Sequence, residues 1–263
     1  DNTLGNQSNQ RGFMGQADLH IHTIYSYDGT ATLEAVLKHA HRAGLDVIAI
    51  TDHDEIRGAL RAEELGYQYE LGVIPGIEVS TAEGHLLTLF VRTLIPAGQS
   101  LIETLQRVYE AGGLAIAAHP LALGAHSLNE TAIRRALETP IGQQTLLGVE
   151  TLNASLFYRG SNLRAARLAQ RVGLATVGCS DSHVGWNIGH ARTLFRGNTP
   201  QDLRYALLQK QTRAVYAHPR RTPLFFADHL LRSALRRMGW VSTWSDTARS
   251  PALRRMERIR VEI

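Results

Sequence analysis

Short apolar runs recur along the chain at 17–21 (ADLHI), 47–50 (VIAI), 73–76 (VIPG), 85–91 (HLLTLFV), 114–118 (LAIAA), 147–151 (LGVET), 174–178 (LATVG) and 191–195 (ARTLF). Most are bounded by Gly, Pro or polar residues, the length and punctuation of buried strands. Between them the apolar positions shift to helical spacing. Residues 32–44 open on Thr32 and close on Gly44. Residues 100–113 carry a Ser-x-x-Glu capping box at Ser100 and Glu103, and 161–173 and 199–210 repeat the form. Strand followed by helix at this pace predicts an α/β fold with parallel strands. The number of such units fits a closed barrel better than an open sheet. Further on, Leu224, Ala227, Leu231, Leu235 and Met238 recur at helical spacing, so 223–238 reads as an amphipathic helix that also bears Arg232, Arg236 and Arg237.

Composition narrows this picture. The chain has 263 residues and is 44% hydrophobic, ordinary for a globular protein with a sizeable core. Its length fits one large domain, or one domain with an appendage. No apolar run approaches the length that spans a bilayer. Residues 1–15 are polar and rich in Gly, Asn and Gln; they read as disordered, with neither the basic start nor the apolar core of a signal peptide. One cysteine, Cys179, excludes an internal disulfide and fits a reducing cytoplasm, the expected location. The net charge of +4 is unevenly spread: 11 Lys/Arg against 4 Asp/Glu from Arg213 onward, 17 against 20 before it. The expected organisation is therefore a disordered segment over 1–15, a barrel over 16–220, and a basic amphipathic extension over 221–263 whose arginines could meet a polyanion.

The chemistry-bearing residues fall at one end of the expected strands. His20 and His22 end the first, His53 follows VIAI, Glu78 lies past VIPG, His119 follows LAIAA, and Asp181 and His183 follow LATVG. In α/β barrels and open sheets, active sites form at this carboxyl end. Residues i and i+2 of a strand share a face, so His20 and His22 can grip one ion, as can Asp181 and His183 if extended. The sequence carries its own control in His39 and His41, the same spacing inside a helix. There, two residues means roughly 200° of rotation, so that pair reads as helix surface. His85 opens a strand and can reach the same rim if that strand runs antiparallel or the segment folds back. With Asp28, the set numbers nine N/O donors and no cysteine, more than one site of four to six ligands uses. Imidazole mixed with carboxylate suits Zn²⁺, Mn²⁺ or Fe²⁺, so two or three divalent ions bridged by a carboxylate are expected.

The stretches DLHIHTIYSYDG, AITDHDEI, PGIEVS with GHLLTL, GGLAIAAHP, LLGVETLN and GCSDSHVGWNIGHARTLF, in this order over residues 17–196, resemble the PHP family, named after polymerase and histidinol phosphatase domains. The resemblance implies a distorted (β/α)₇ barrel, a trinuclear metal site and phosphoester hydrolysis. It assigns His20, His22, Glu78 and Asp181 to a first metal, makes Glu78 the bridge to a second completed by His85 and His119, and gives Asp28, His53 and His183 to a third. Asp52 is expected to accept a hydrogen bond from a histidine N–H. Members resembling nucleotide bisphosphatases or RNA-end exonucleases carry a long helical insertion before the HP strand. Here His85 and His119 are only 34 positions apart, so a cap is expected to be absent or minimal.

Such ions would let a metal-bound hydroxide attack phosphorus at neutral pH, with Glu78 and Asp181 central to the chemistry. His126 is the candidate proton donor, and Arg57 and Arg159 are the candidate phosphate contacts. The substrate is expected to be a phosphorylated small molecule or short nucleic acid. A Ser/His/Asp hydrolase would need a G-x-S-x-G elbow, which GCSDSH does not supply. Two other readings are a metallohydrolase of amides or lactones, and a metal-stabilised scaffold that binds a polyanion through its tail.

Overall fold

A computed structural model describes residues 14–123, 125–155 and 158–217, together with Leu231 and Ala234. Nine strands form one sheet: β1 (Met14–Asp18), β2 (Val47–Ile50), β3 (Gly72–Ser80), β4 (His85–Leu89), β5 (Leu114–Ala117), β6 (Leu146–Asn153), β7 (Ala175–Cys179), β8 (Ala191–Arg196) and β9 (Arg213–Tyr216). Their order across the sheet is β7-β6-β5-β4-β3-β2-β1-β8-β9. Strands β1, β2 and β3 pair in parallel, as do β5, β6 and β7, whereas β4 is antiparallel to β3 and β5, and β8 to β1 and β9. Between residues 14 and 217 seven helices accompany them: α1 (Leu33–Arg42), α2 (Arg57–Gly66), α3 (Leu101–Glu110), α4 (Glu130–Leu137), α5 (Pro140–Thr145), α6 (Arg159–Val172) and α7 (Pro200–Leu208).

The sheet curls until β7 meets β8 and β9, and threonines close the seam. Thr193 Oγ1 bonds both the N–H and the C=O of Gly178, and the hydroxyls of Thr176 and Thr212 donate to each other's carbonyls. Gly178 permits this approach, since a Cβ there would meet the Arg192 carbonyl oxygen at 2.5 Å. The result is a nearly closed, distorted (β/α)₇ barrel, as the resemblance implies. One apolar core lies between the sheet and its surrounding helices, including Val36, Leu37, Leu105 and Leu168. A second fills the barrel with Leu19, Ile74, Leu87, Ile116, Val177 and Phe195, joined by Leu203 and Leu207 of α7. Helix α7 lies across the amino-terminal end of the strands: Pro200 packs on Gly72 and Arg204 bonds the Gly112 carbonyl. One end of the barrel is thereby stoppered, leaving the other for the site.

Helix starts follow local chemistry. Ser100 and Glu103 form the expected capping box, and Thr199 forms another with Asp202. Only α3 lies between β4 and β5, so the cap insertion is absent. The strand β1 begins at Met14, two residues inside the segment expected to be disordered, because antiparallel pairing of Met14 and Gly15 with Arg196 and Phe195 orders them. The amphipathic reading of 223–238 lies outside the described residues except at Leu231 and Ala234, both exposed. The polyanion contact assigned to the arginines of that extension lies outside them as well. Among the described residues, no helix is long and apolar enough to cross a membrane.

Candidate metal centre

The nine donors converge at the carboxyl end of the parallel strands. Although β1 ends at Asp18, the chain stays extended through His22: Ser182 N–H donates to His20 O, His22 N–H to Ser182 O, and Thr51 N–H to Ile21 O. The i, i+2 rule therefore holds, and the Nε2 atoms of His20 and His22 lie 3.0 Å apart. Strand β4 runs antiparallel, which brings His85 at its start to the rim where the other strands end. His41 does what a helix-surface residue does: its ring donates to the Tyr69 carbonyl at 2.9 Å, away from the cluster.

Glu78 sits at the centre, 1% exposed. Its Oε2 lies 2.9 Å from His20 Nε2, 3.2 Å from His22 Nε2 and 3.4 Å from His53 Nδ1. Its Oε1 lies 3.0 Å from both His85 Nδ1 and His119 Nε2. Asp181 Oδ1 stands 3.4 Å from the Nε2 atoms of His20 and His22. At the outer edge, Asp28 Oδ2 is 2.9 Å from His183 Nε2 and 3.4 Å from His53 Nε2. Four overlapping groups have donor atoms within 4.8 Å of one another: His22, Asp28, His53 and His183; His20, His22 and Glu78; His20, His119 and Asp181; and His53, Glu78 and His85. Every residue of the expected set belongs to at least one. The groups share members, so His119 stands with His20 and Asp181 as well as facing Glu78 beside His85.

The donor set fits cations. The Nδ1 atoms of His53 and His85 are buried without a hydrogen bond among the described residues, yet both face Glu78. His20 and His22 point ring nitrogens at each other and at the same carboxylate oxygen; one proton satisfies one such contact, a cation satisfies all of them. The field agrees. Burial alone would depress the pKa of His22, but Asp181 and Glu78 push it up to about 10. His20 and His119 likewise end above the ordinary range despite burial, through Asp181, Glu78 and Glu150. Glu78 and Asp181 are held well below the usual carboxylate range by the histidines, against the opposing effect of burial. Positive charge is what this pocket retains.

The backbone is bent to aim these groups. His119 has φ 27°, Asp181 φ 52° and Asp54 φ 51°, left-handed values that cost of order 1–3 kcal/mol each and cluster at functional sites. Asp54 recovers part of that by accepting from the N–H and hydroxyl of Ser80, both at 2.8 Å.

Asp52 does not hold a histidine. Its carboxylate accepts from Thr23 N–H at 2.6 Å and the Thr23 hydroxyl at 2.8 Å, so it secures the loop after His22 instead. Burial pushes its pKa up to about 6. The histidine orienter is Glu150, which the sequence reading passed over: Oε1 accepts from His20 Nδ1 at 3.2 Å and Oε2 from the His119 N–H at 2.6 Å. Its signal was a lone acid at the end of an apolar strand, the pattern that singled out the others. Asn153 and Tyr158 were also missed. Tyr158 stacks on His119 with ring centroids 4.5 Å apart, as Tyr27 stacks on His53 at 4.8 Å. His126 packs edgewise on His85 at 5.2 Å, and its Nε2 donates to Thr81 O at 2.6 Å. Arg57 is exposed and forked onto Glu55, with Nε 2.9 Å from each carboxylate oxygen. Arg159 begins α6, but its side chain lies outside the described residues.

A distorted α/β barrel with clustered imidazoles and carboxylates at its open end defines a class, the barrels whose strand-end side chains could bind metal. Within that class the chain belongs to the PHP family: the PHP domain matches residues 18–134 and the PHP-associated region residues 159–212. An uncharacterised protein of Methanocaldococcus jannaschii is 38% identical over 149 residues, covering 53% of this chain and 82% of that one. The phosphoribosyl 1,2-cyclic phosphate 1,2-diphosphodiesterase of Eggerthella lenta is 39% identical over 97 residues, 34% of this chain and 37% of that one. A solved structure from Bifidobacterium adolescentis, provisionally assigned as a metal-dependent phosphoesterase, superposes with a TM-score of 0.57 at 17% identity, covering 74% of this chain and 96% of that one.

Proposed function

We propose that this chain is a metal-dependent phosphoesterase acting on a nucleotide, an oligonucleotide or a small phosphorylated metabolite. The observation that carries the reading is Glu78, whose two oxygens face different sets of histidines, His20, His22 and His53 on one side and His85 and His119 on the other. A carboxylate so placed can serve two cations at once. The residues that would hold two or three ions are His20, His22, Asp28, His53, Glu78, His85, His119, Asp181 and His183, and their mixed N/O chemistry suits Mn, Zn or Fe. When bound, such ions acidify a coordinated water to near neutral pKa and neutralise phosphoryl oxygens.

The rest is the work of the chain's own groups. Glu78 and Asp181 supply the central negative charge, and Glu150 fixes the ring of His20 through Nδ1, leaving Nε2 to face inward. His126 is the candidate proton donor to the leaving oxygen: with Nε2–H held by Thr81 O, it can donate from Nδ1 when both ring nitrogens carry protons. Arg57 and Arg159, at the starts of α2 and α6, are the candidate phosphate contacts. Membership of the PHP family and the activity named for the Eggerthella lenta relative support the class of reaction.

The test is phosphate release from a panel of nucleotide bisphosphates, cyclic and linear phosphodiesters, short RNA and sugar phosphates, with Mn²⁺, Zn²⁺ or Fe²⁺ and with chelator. At least one ester should be turned over in a chelator-sensitive way. Hydrolysis of amides or lactones with no phosphoester turned over would replace this reading with the carbonyl one.

A further inference from the structure

Asn153, at the end of β6, is fully buried and every polar atom it owns is engaged. Its Oδ1 accepts from the Ser155 N–H at 2.8 Å. A backbone N–H can only donate, so the amide orientation is fixed and Nδ2 must face the other way. There Nδ2 donates to Glu150 Oε2 at 3.2 Å and to Asp181 Oδ2 at 3.0 Å. The backbone of Asn153 is itself clamped: its N–H donates to Asn162 Oδ1 at 3.1 Å, and Asn162 Nδ2 donates back to its carbonyl at 2.9 Å and to the Tyr216 hydroxyl at 3.1 Å. The backbone of Asn153 is therefore held by Asn162 of α6, which is itself bonded to Tyr216 of β9, while the side-chain amide is fixed by the Ser155 N–H and holds Asp181 in turn.

The consequence falls on one oxygen. Asp181 Oδ2 is tied back to Asn153, so Oδ1 is the atom that faces His20 and His22 at 3.4 Å. We infer that Asn153 is a positioning residue that limits Asp181 to one coordinating oxygen and so biases the centre towards small ions of low coordination number. The inference rests on the metal-centre reading above. A carboxylate restricted to one oxygen suits a four-coordinate ion such as Zn²⁺. A carboxylate free to chelate through both oxygens adds a ligand and favours larger, oxygen-preferring ions such as Mn²⁺. Removing the tether should therefore change which metal is preferred, more than whether metal is held.

The measurement is the pair of dissociation constants for Zn²⁺ and Mn²⁺, by competition with a chromophoric chelator on stripped full-length protein. It compares wild type with Asn153→Ala and with the near-isosteric Asn153→Asp. Alanine cannot donate to Asp181 Oδ2, and neither can an ionised aspartate. The aspartate adds charge that attracts every cation, so the ratio Kd(Mn)/Kd(Zn) is the readout. The ratio should fall by about tenfold in both variants, the lower end of the usual effect of a group that orients a ligand. Co²⁺-loaded variants should also show weaker visible d–d absorption than wild type, as expected when coordination number rises. An unchanged ratio, or equal loss of both metals, overturns the inference and leaves Asn153 a structural residue. Wild-type protein that binds neither ion would bring down the metal-centre reading itself, a different result from the first.

Discussion

Glu78 and Glu150 divide the work at the scale of single residues. Glu78 offers a different oxygen to each half of the cluster, so its loss should empty both halves together. Glu78→Ala is expected to lower bound metal by more than half and hydrolysis by about 10³-fold or more, with elemental analysis and phosphate release measured on the same preparation. Metal content at the wild-type level in this variant would contradict the central position of Glu78. Glu150 acts one step back, by orienting the His20 ring and bonding the His119 N–H. Glu150→Gln keeps the shape but loses the charge that favours the required tautomer. It should weaken metal binding by about 10–100-fold while the fold survives, as chelator competition and circular dichroism would show.

At the scale of elements, the decisive matter is what secondary structure does to a spacing. His20/His22 and His39/His41 are the same two-residue repeat, yet one lies on extended chain and the other on α1. His22→Ala should abolish hydrolysis. His41→Ala removes only an exposed hydrogen bond to Tyr69, costing about 1 kcal/mol, and should leave turnover within about twofold. Equal losses in the two variants would contradict the strand-end reading. Much of this was legible beforehand because periodicity is a local property. Strand β2 lies where its apolar run placed it, and β3 through β8 agree with theirs apart from their ends. The helices α2, α4 and α5 and the strand β9 were not legible. Helix α2 starts without a side-chain cap on Ile56, and β9 is a short edge strand made by pairing with β8. Most metal ligand candidates were visible because a polar residue ends an apolar run, whereas His85 opens one and Asp28 lies in the loop after His22. Asn153 and the true roles of Asp52 and Glu150 depend on which neighbours the fold brings up, and no spacing encodes that.

On the scale of the whole molecule, the barrel encloses an excess of negative charge that protons or cations must balance. In metal-free protein His20, His22 and His119 take up protons. Their folded-state pKa values are raised, to about 10 for His22, so this stabilisation is complete below about pH 6.5 and is lost as pH rises towards 10. The melting temperature of stripped protein should therefore fall over that window. Metal binding requires those same imidazoles deprotonated, so the stabilisation added by metal should grow over the same window. The two melting curves should diverge with rising pH, as scanning fluorimetry with and without chelator would show. An increment that shrinks with pH would contradict the assignment of these histidines. The seam is the fold's narrowest tolerance: Gly178→Val must push the Arg192 backbone away and should destabilise by about 2–4 kcal/mol, measured by urea unfolding.

The most direct test of the central claim is a metal titration of stripped protein, with phosphate release from a responsive ester recorded at each addition. The nine convergent donors predict no turnover without metal and full recovery at two to three equivalents of ion per chain, with the His22→Ala protein silent throughout. Full activity in stripped protein, with no transition metal detectable by elemental analysis, would contradict the account.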